Sequence, residues 1–491
     1  MKPKWLRVQT ADRGNMLRER LHAGSRLGLI TSIDGNQIVT IVLNPSEGRA
    51  ELWETPVSGN SYNSLTSVIP QCHWFERTMW DMFGLVPTGH PRLKHNLLHE
   101  PYAPDWLPLR DDVPVERAAD HRKFHLLEVR GNGPFEVPVG PIHAGVIEPA
   151  HFRISCLGEV ILNLELRLGY VHRGVEKRIT EVPWRHARFV AESAASDMAA
   201  ANALAHAVAM ESICEVEAPP RAQALRTIAL EIERAAMHII DLGGIGGDIG
   251  FLPVSSSMGR WRGSALALAE LVSGNRFLRG FILPGGVFAD PAANLSQVLE
   301  TVRELRRIVL PALQFLMEDP GALDRMTDIG RLAPHLAADF GIVGIAGRAA
   351  NQAYDTRQHF AQGVYPDKSI PVPVYQNGDV LCRAKVRLDE LQASLNMIEE
   401  LAGNLPEGPI AVAMPDKLPP QQIGLGIVES HRGELLHLAV TDAGGRIMRY
   451  AIKDASVNNW TAVAIANRNG LLADFPLVNK SFALSYSGHD Q

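Results

Sequence analysis

Cysteine is scarce and scattered in this sequence. Its four cysteines, Cys72, Cys156, Cys214 and Cys382, stand far apart, with no two at the short spacing that metal sites and redox pairs use. That argues against a disulfide framework and reads as buried thiols in a reducing compartment. Long apolar runs are also missing: nothing approaches roughly 18 consecutive hydrophobic residues. The start, Met1 to Val8, is polar and basic without an apolar stretch behind it. The expectation is a chain that neither spans a membrane nor carries its own secretion signal. Basic charge is not in excess, since the formal net charge is −6. No stripe suited to phosphate backbones results, so nucleic acid is excluded as a partner. No Gly-x-Gly-x-x-Gly fingerprint follows a strand-like run, which leaves no dinucleotide site to expect. Internal repeats and low-complexity segments are absent as well.

What is there fits a packed globular protein, with 46% hydrophobic and 21% charged residues. At 491 residues the chain exceeds one ordinary core, a domain holding ~150 residues, and two domains are expected. Ile38 to Leu43 is a short strand-like run, separated from Leu29-Ile30-Thr31 by Asp34-Gly35, a hairpin signature. The opening module therefore reads as α/β. Prolines cluster between Pro101 and Pro114, and Gly131-Asn132-Gly133-Pro134 follows, so Pro101 to Pro138 reads as an extended linker. The boundary is placed near Leu126, giving modules at 1–125 and 126–491. Beyond it, Pro219-Pro220 opens a helix whose apolar positions Leu225, Ile228, Ile232, Ala235, Ile239 and Leu242 recur at helical spacing, with Gly243-Gly244 expected to close it. Trp184 to Met210 is alanine-rich and reads as a second helix. Glu434 to Tyr450, with its Asp442-Ala443-Gly444-Gly445 turn, reads as a hairpin. The overall class is α+β, a small α/β module followed by a mainly helical one.

Several blocks carry a resemblance. Glu76-Arg77, Asp81-Met82-Phe83-Gly84-Leu85 and Gly89-His90-Pro91 resemble the small peripheral-arm (C) subunit of respiratory complex I, and the turn-rich Asp81 to Pro91 block reads as a docking and packing element. Gly140-Pro141-Ile142-His143, Gly158-Glu159 and Tyr170 to Lys177 resemble the opening of the nickel-iron hydrogenase large subunit and its complex I (D) counterpart. The match continues through Pro220 to Gln223, Glu233-Arg234, Pro284 to Val287, Arg348-Ala349, Asp355-Thr356-Arg357, Arg432-Gly433-Glu434 and Asn459-Trp460. The wording from Gly140 to Gly145 leans towards the energy-converting hydrogenases. The second module is thus expected to take the hydrogenase-large-subunit fold.

That family holds its metal pair with two Cys-x-x-Cys motifs, soft thiolates suiting nickel and iron. Carried onto this chain, the motifs fall on Ala195 and Met198 and on Ser485 and Gly488, none of them a thiolate. The resemblance therefore implies no metal in this chain. Complex I subunits reuse the vacated cavity for a quinone headgroup, with a histidine and a tyrosine. Here those positions are Ile147 and Ser196, so both usual contacts are absent, and quinone remains only a candidate ligand.

The residues expected to line the cavity are His143, Glu176, Asp197 and Arg432, with Ser196, Ser485 and Tyr486 at the vacated metal and quinone positions. Glu176, Arg432 and His143 are expected to converge there, and Arg432, as a buried cation, needs a carboxylate partner, Glu176 or Asp197. By resemblance, the chain is a peripheral subunit of an NADH-quinone-oxidoreductase-like or hydrogenase-like complex on the cytoplasmic face of the inner membrane. A small iron-sulfur subunit would carry the clusters, and antiporter-like membrane subunits would move ions. The alternative is a non-catalytic scaffold joining the iron-sulfur subunit to the membrane arm. An open polar pocket around Arg432 and Ser485 favours the first reading and a packed one the second.

Overall fold

The computed structural model describes residues 1–100, 102–103, 105–110, 124–143 and 147–491. The first module runs β1 (Lys4–Arg7), α1 (Arg13–His22), β2 (Arg26–Ser32), β3 (Gln37–Asn44), β4 (Arg49–Pro56), β5 (Ser61–Asn63), α2 (His73–Phe83) and β6 (Val86–Thr88). Its main sheet has the order β1-β4-β3-β2. The expected hairpin is present, with Ser32 opposite Ile38 and Ile30 opposite Thr40; Gly35, at φ +86°, supplies the turn conformation that side chains resist.

The Asp81 to Pro91 block is not all loop. Its first residues complete α2, which stops where Gly84 adopts φ +70°. Asp81 is fully buried, and its carboxylate accepts from Asn96 N at 2.6 Å and Leu97 N at 2.8 Å. Glu76 accepts from Leu65 N and the Thr66 hydroxyl, both at 2.7 Å. These motif carboxylates staple neighbouring loops to α2.

The second module continues with β7 (Phe135–Val139), β8 (His151–Leu157), β9 (Val160–Arg167), α3 (Val175–Glu181), α4 (Ala187–Glu192), α5 (Ala199–Cys214), α6 (Pro220–Asp248), α7 (Leu252–Ser273), β10 (Ile282–Leu283), β11 (Gly286–Val287) and α8 (Leu295–Glu318). Four short helices, α9 (Pro320–Met326), α10 (Pro334–Asp339), α11 (Gly344–Ala349) and α12 (Thr356–His359), lead to α13 (Val380–Gly403). The chain closes with β12 (Ile423–Ser430), β13 (Gly433–Thr441), β14 (Ile447–Lys453), α14 (Ala455–Asn467), α15 (Phe475–Phe482) and α16 (Tyr486–Asp490). The class is α+β, as expected.

Three local expectations are corrected. The supposed linker ends in a strand, since β7 pairs antiparallel with β8 from Phe135; its part at 111–123 lies outside the described residues. The alanine-rich helix is two helices, broken over Ser193 to Met198, because the Ser193 hydroxyl turns back to Val190 O at 2.7 Å and Glu233 captures the N–H groups of Ala200 and Ala201 that a continuing helix would use internally. Gly243-Gly244 does not end α6. A Cβ on Gly243 would stand 2.6 Å from Met258 Cβ, so that glycine serves the close crossing of α6 and α7.

The β12-β13-β14 sheet is buried on both faces. Gly424 and Gly426 admit α5 so closely that a Cβ on either would meet the carbonyl oxygens of Ala209 and Ala205 at 2.1 and 1.9 Å. On the other face Leu425, Ile427, Leu436 and Leu438 join the core of the first module. Arg449 of β14 adds polar clamps across the same boundary, to Ser32 O at 2.9 Å and the Thr31 hydroxyl at 2.8 Å. The two modules thus share one wall, and no described helix is long and apolar enough to cross a membrane.

Candidate functional site: a vacated centre bridged by arginine

The turn between β12 and β13 presents Arg432. Gly433, at φ +130°, lets it pass Gly344, whose Cα a Cβ at 433 would meet at 2.7 Å. The Ser430 hydroxyl donates to Gly433 O at 2.9 Å and accepts from Arg432 N at 3.2 Å, fixing the turn. From there the guanidinium forks onto Asp197, Nη1 to Oδ1 at 2.9 Å and Nη2 to Oδ2 at 2.6 Å, while Nε donates to Ala483 O. Asp197 sits between Ala195 and Met198, and Ala483 lies two residues before Ser485. One side chain therefore ties together both segments that hold metal in the resembled hydrogenases. Burial alone would raise the Asp197 carboxyl; Arg432 overrides this with its charge and two hydrogen bonds and holds it below its ordinary value. Burial would lower the Arg432 guanidinium, but Asp197, with Asp241 and Asp454 farther out, raises it.

A second arginine, Arg173, joins the same segments, donating from its backbone N to Gln491 O at 2.7 Å and from its guanidinium to Ala194 O at 2.8 Å. Ser485 caps α16, its hydroxyl accepting from Gly488 N at 2.9 Å. Tyr486 packs edge-on against Trp460 at 4.7 Å, and burial pushes its hydroxyl up to about 12. Glu148 accepts from Tyr486 N and Ser487 N at 3.2 and 3.0 Å.

A thiolate-held metal pair does not fit here. Ala195 and Met198 are fully buried without a thiolate, and a Cβ at Gly488 would stand 2.5 Å from Asp454 Oδ2 and 2.9 Å from Ser485 Oγ. Among the described residues no group of three or more His, Cys, Asp or Glu side chains is arranged to hold a metal.

The structure brings Arg432 to Asp197 but not to the other expected partners. Glu176, opening α3, accepts from Arg449 Nη1 and Ile452 N, both at 2.8 Å, and lines a separate 60 Å³ cavity between the modules. His143 hydrogen-bonds to Ala150 O within its own loop at 2.9 Å. The expected convergence of Glu176 and His143 on Arg432 is thus corrected: Arg449 offers Glu176 a nearer cation, and the β7–β8 loop satisfies His143. An open cavity of about 530 Å³ borders the pair, walled by Ser196 and Asp197 and not by Arg432, Ser485 or Tyr486.

Sequence reasoning missed Arg173, Glu233 and Asp454. The first two lie inside quoted motifs, whereas Asp454 has no local signal. Glu233 is buried; burial raises its carboxyl from 4.5 to about 8, Asp197 adds to the rise, and the Ala200 and Ala201 N–H groups oppose it.

The fold and site define a class, that of complex I peripheral-arm subunits and hydrogenase large subunits. Residues 14–119 match the 30 kDa subunit of respiratory-chain NADH dehydrogenase, and residues 248–426 match its 49 kDa subunit. The chain is 31% identical over 478 residues to formate hydrogenlyase subunit 5 of Escherichia coli, spanning 94% of this chain and 83% of that one. It is 28% identical over 451 residues to a fused C/D subunit of NADH-quinone oxidoreductase from Bacteroides fragilis, spanning 86% and 82%. A chain of the membrane-bound sulfane sulfur reductase, an archaeal respiratory membrane complex, superposes with TM-score 0.69 at 26% identity, over 73% of this chain and 99% of that one. The protein belongs to the family of formate hydrogenlyase subunit 5 and the fused C/D subunits.

Proposed function

We propose that this chain is a peripheral subunit of a membrane-bound, complex I-like or energy-converting-hydrogenase-related oxidoreductase, and that it couples electron transfer to ion translocation without a nickel-iron centre. The observation that carries the reading is the Arg432 bridge, which joins Asp197 and Ala483 where the hydrogenases hold metal. A charged pair at that place, bordered by an open cavity, can respond to the charge state of a neighbouring cluster or acceptor. In this reading a small iron-sulfur subunit docks on the second module, quinone is a candidate acceptor, and antiporter-like subunits anchor the assembly at the cytoplasmic face of the inner membrane. Asp197 and Arg432 are its working residues; Ser196 lines the approach, Ser485 and Tyr486 shape the closed side, and Glu176 and His143 position neighbouring elements. The division at 125/126 is retained as one of two ancestral modules sharing a wall.

The packed state of Ala195, Met198 and Ser485 favours a second reading, a scaffold with no acceptor at this site. The test is the assembly purified with its partner subunits. We expect no stoichiometric nickel and no hydrogen uptake. Arg432→Met is expected to abolish complex-dependent electron transfer or pumping while assembly is retained. Full activity in that variant establishes the scaffold reading, and one nickel per chain overturns both.

A further inference from the structure

The 530 Å³ cavity beside Asp197 has an uneven charge balance. Its two wall carboxylates are already matched from behind, Asp197 by Arg432 and Asp241 by Arg387 Nε at 3.2 Å. Three further cations face it from three different elements: Arg262 on α7, Arg279 after α7 and Lys480 on α15. Arg262 Nε is shielded from solvent and has no hydrogen-bond partner. Among the described residues, the side chains of Arg279 and Lys480 make no hydrogen bond or ion pair; the Arg279 backbone N–H donates to Asn275 Oδ1 at 3.4 Å. Glu192 and Asp248 lie within electrostatic range of Arg279 and Lys480 but form no ion pair with them. Glu192 instead accepts from Gly280 N at 3.0 Å. Cations of one sign gathered on a concave wall raise the local positive potential and draw an anion into it. The rest of the wall mixes the hydroxyls of Ser196 and Ser255 with the apolar side chains of Met237, Ile240 and Phe277 and the glycines Gly243 and Gly244.

We propose that this cavity binds an organic phosphate, its phosphoryl group held among Arg262, Arg279 and Lys480 and its apolar body lying on Met237, Ile240 and Phe277. A planar carboxylate is saturated by a single guanidinium fork, whereas a tetrahedral phosphoryl group offers oxygens to donors arriving from several directions. The volume falls within the roughly 300–1,000 Å³ of small-molecule sites, too large for a bare ion alone. The same chemistry is offered by a soluble phosphoester and by an anionic phospholipid headgroup. The inference needs neither a partner subunit nor electron transfer, so it can fail while the proposed function stands, and the reverse.

The test uses the full chain with two probes. Inorganic pyrophosphate is titrated by calorimetry, and vesicles of phosphatidylcholine with or without phosphatidylglycerol are assayed by co-sedimentation. The combined Arg262→Gln, Arg279→Gln, Lys480→Gln variant is compared with Lys480→Gln alone, both checked for unchanged circular dichroism. We expect binding of at least one probe that weakens about tenfold or more in the triple variant, partially in the single variant, and steeply with added salt. Pyrophosphate binding assigns the site to a soluble phosphoester; binding only to phosphatidylglycerol vesicles assigns it to a lipid headgroup. Failure of both probes, or equal binding by wild type and Lys480→Gln, overturns the proposal.

Discussion

Arg348 and Arg432 are both buried guanidiniums clamped by carboxylates, yet they belong to differently built clusters. Arg348 donates to Glu390 at 2.6 Å and Glu429 at 2.9 Å. Those carboxylates continue inward, Glu390 to His238 at 3.0 Å and Glu429 to the backbone and hydroxyl of Thr356, both at 3.0 Å. Arg357 then joins Asp355 to Glu231. This network is sealed, with Asp355, Glu390 and Glu429 essentially without solvent contact. The Arg432–Asp197 pair is sealed on one side only, the Asp197 side chain being 36% exposed towards the open cavity. A sealed, many-partnered network fixes structure, whereas a pair with one wet face can exchange charge with something outside it.

Removing each arginine sharpens the contrast. Arg348→Met leaves Glu429 buried without an ion pair and Glu390 with Arg234 at 3.5 Å as its remaining arginine, and a loss of about 3–5 kcal/mol is expected in urea unfolding; a loss below about 1 kcal/mol would show that the network relaxes freely.

Glu233 sits between the two clusters and adds a pH signature. Its folded-state value lies above its ordinary one, so the fold favours the neutral acid. The stability this contributes is complete below 4.5 and is lost as pH rises through about 8. Glu233→Gln should flatten the fall in stability across that window, on the order of a few kcal/mol. An unchanged slope in unfolding measured from pH 5 to 8.5 contradicts the assignment.

Arg432→Met should cost only about 1–2 kcal/mol, because the half-wet Asp197 can rehydrate. A loss matching that of Arg348→Met would erase the distinction between the clusters. The exposed Arg178–Glu181 pair, at 3.3 Å, sets the floor.

Much of the framework was legible in the sequence. A strand-like run of β-branched residues and Asp34-Gly35 marked the first hairpin, Asp442 to Gly445 marked the last, and Pro219-Pro220 marked the start of α6, because each signal is local to the residues whose dihedrals it sets. The stop assigned to Gly243-Gly244 failed for the complementary reason: whether a glycine ends a helix or admits a neighbour depends on whether Met258 is opposite, which no local pattern records. The break between α4 and α5 likewise needed Glu233 from another helix.

By itself, then, the sequence determined the class of fold, the motif blocks and the absence of thiolates at Ala195, Met198, Ser485 and Gly488, since these are matters of residue type and short-range spacing. Only the tertiary structure decided who meets whom. Arg432 could have answered to Glu176 or Asp197 on charge alone. Asp197 stands 235 residues away, and the choice fell to it because Arg449, placed by the sheet shared between the two modules, had already claimed the half-buried Glu176, and a carboxylate satisfied by one cation has no reason to seek another.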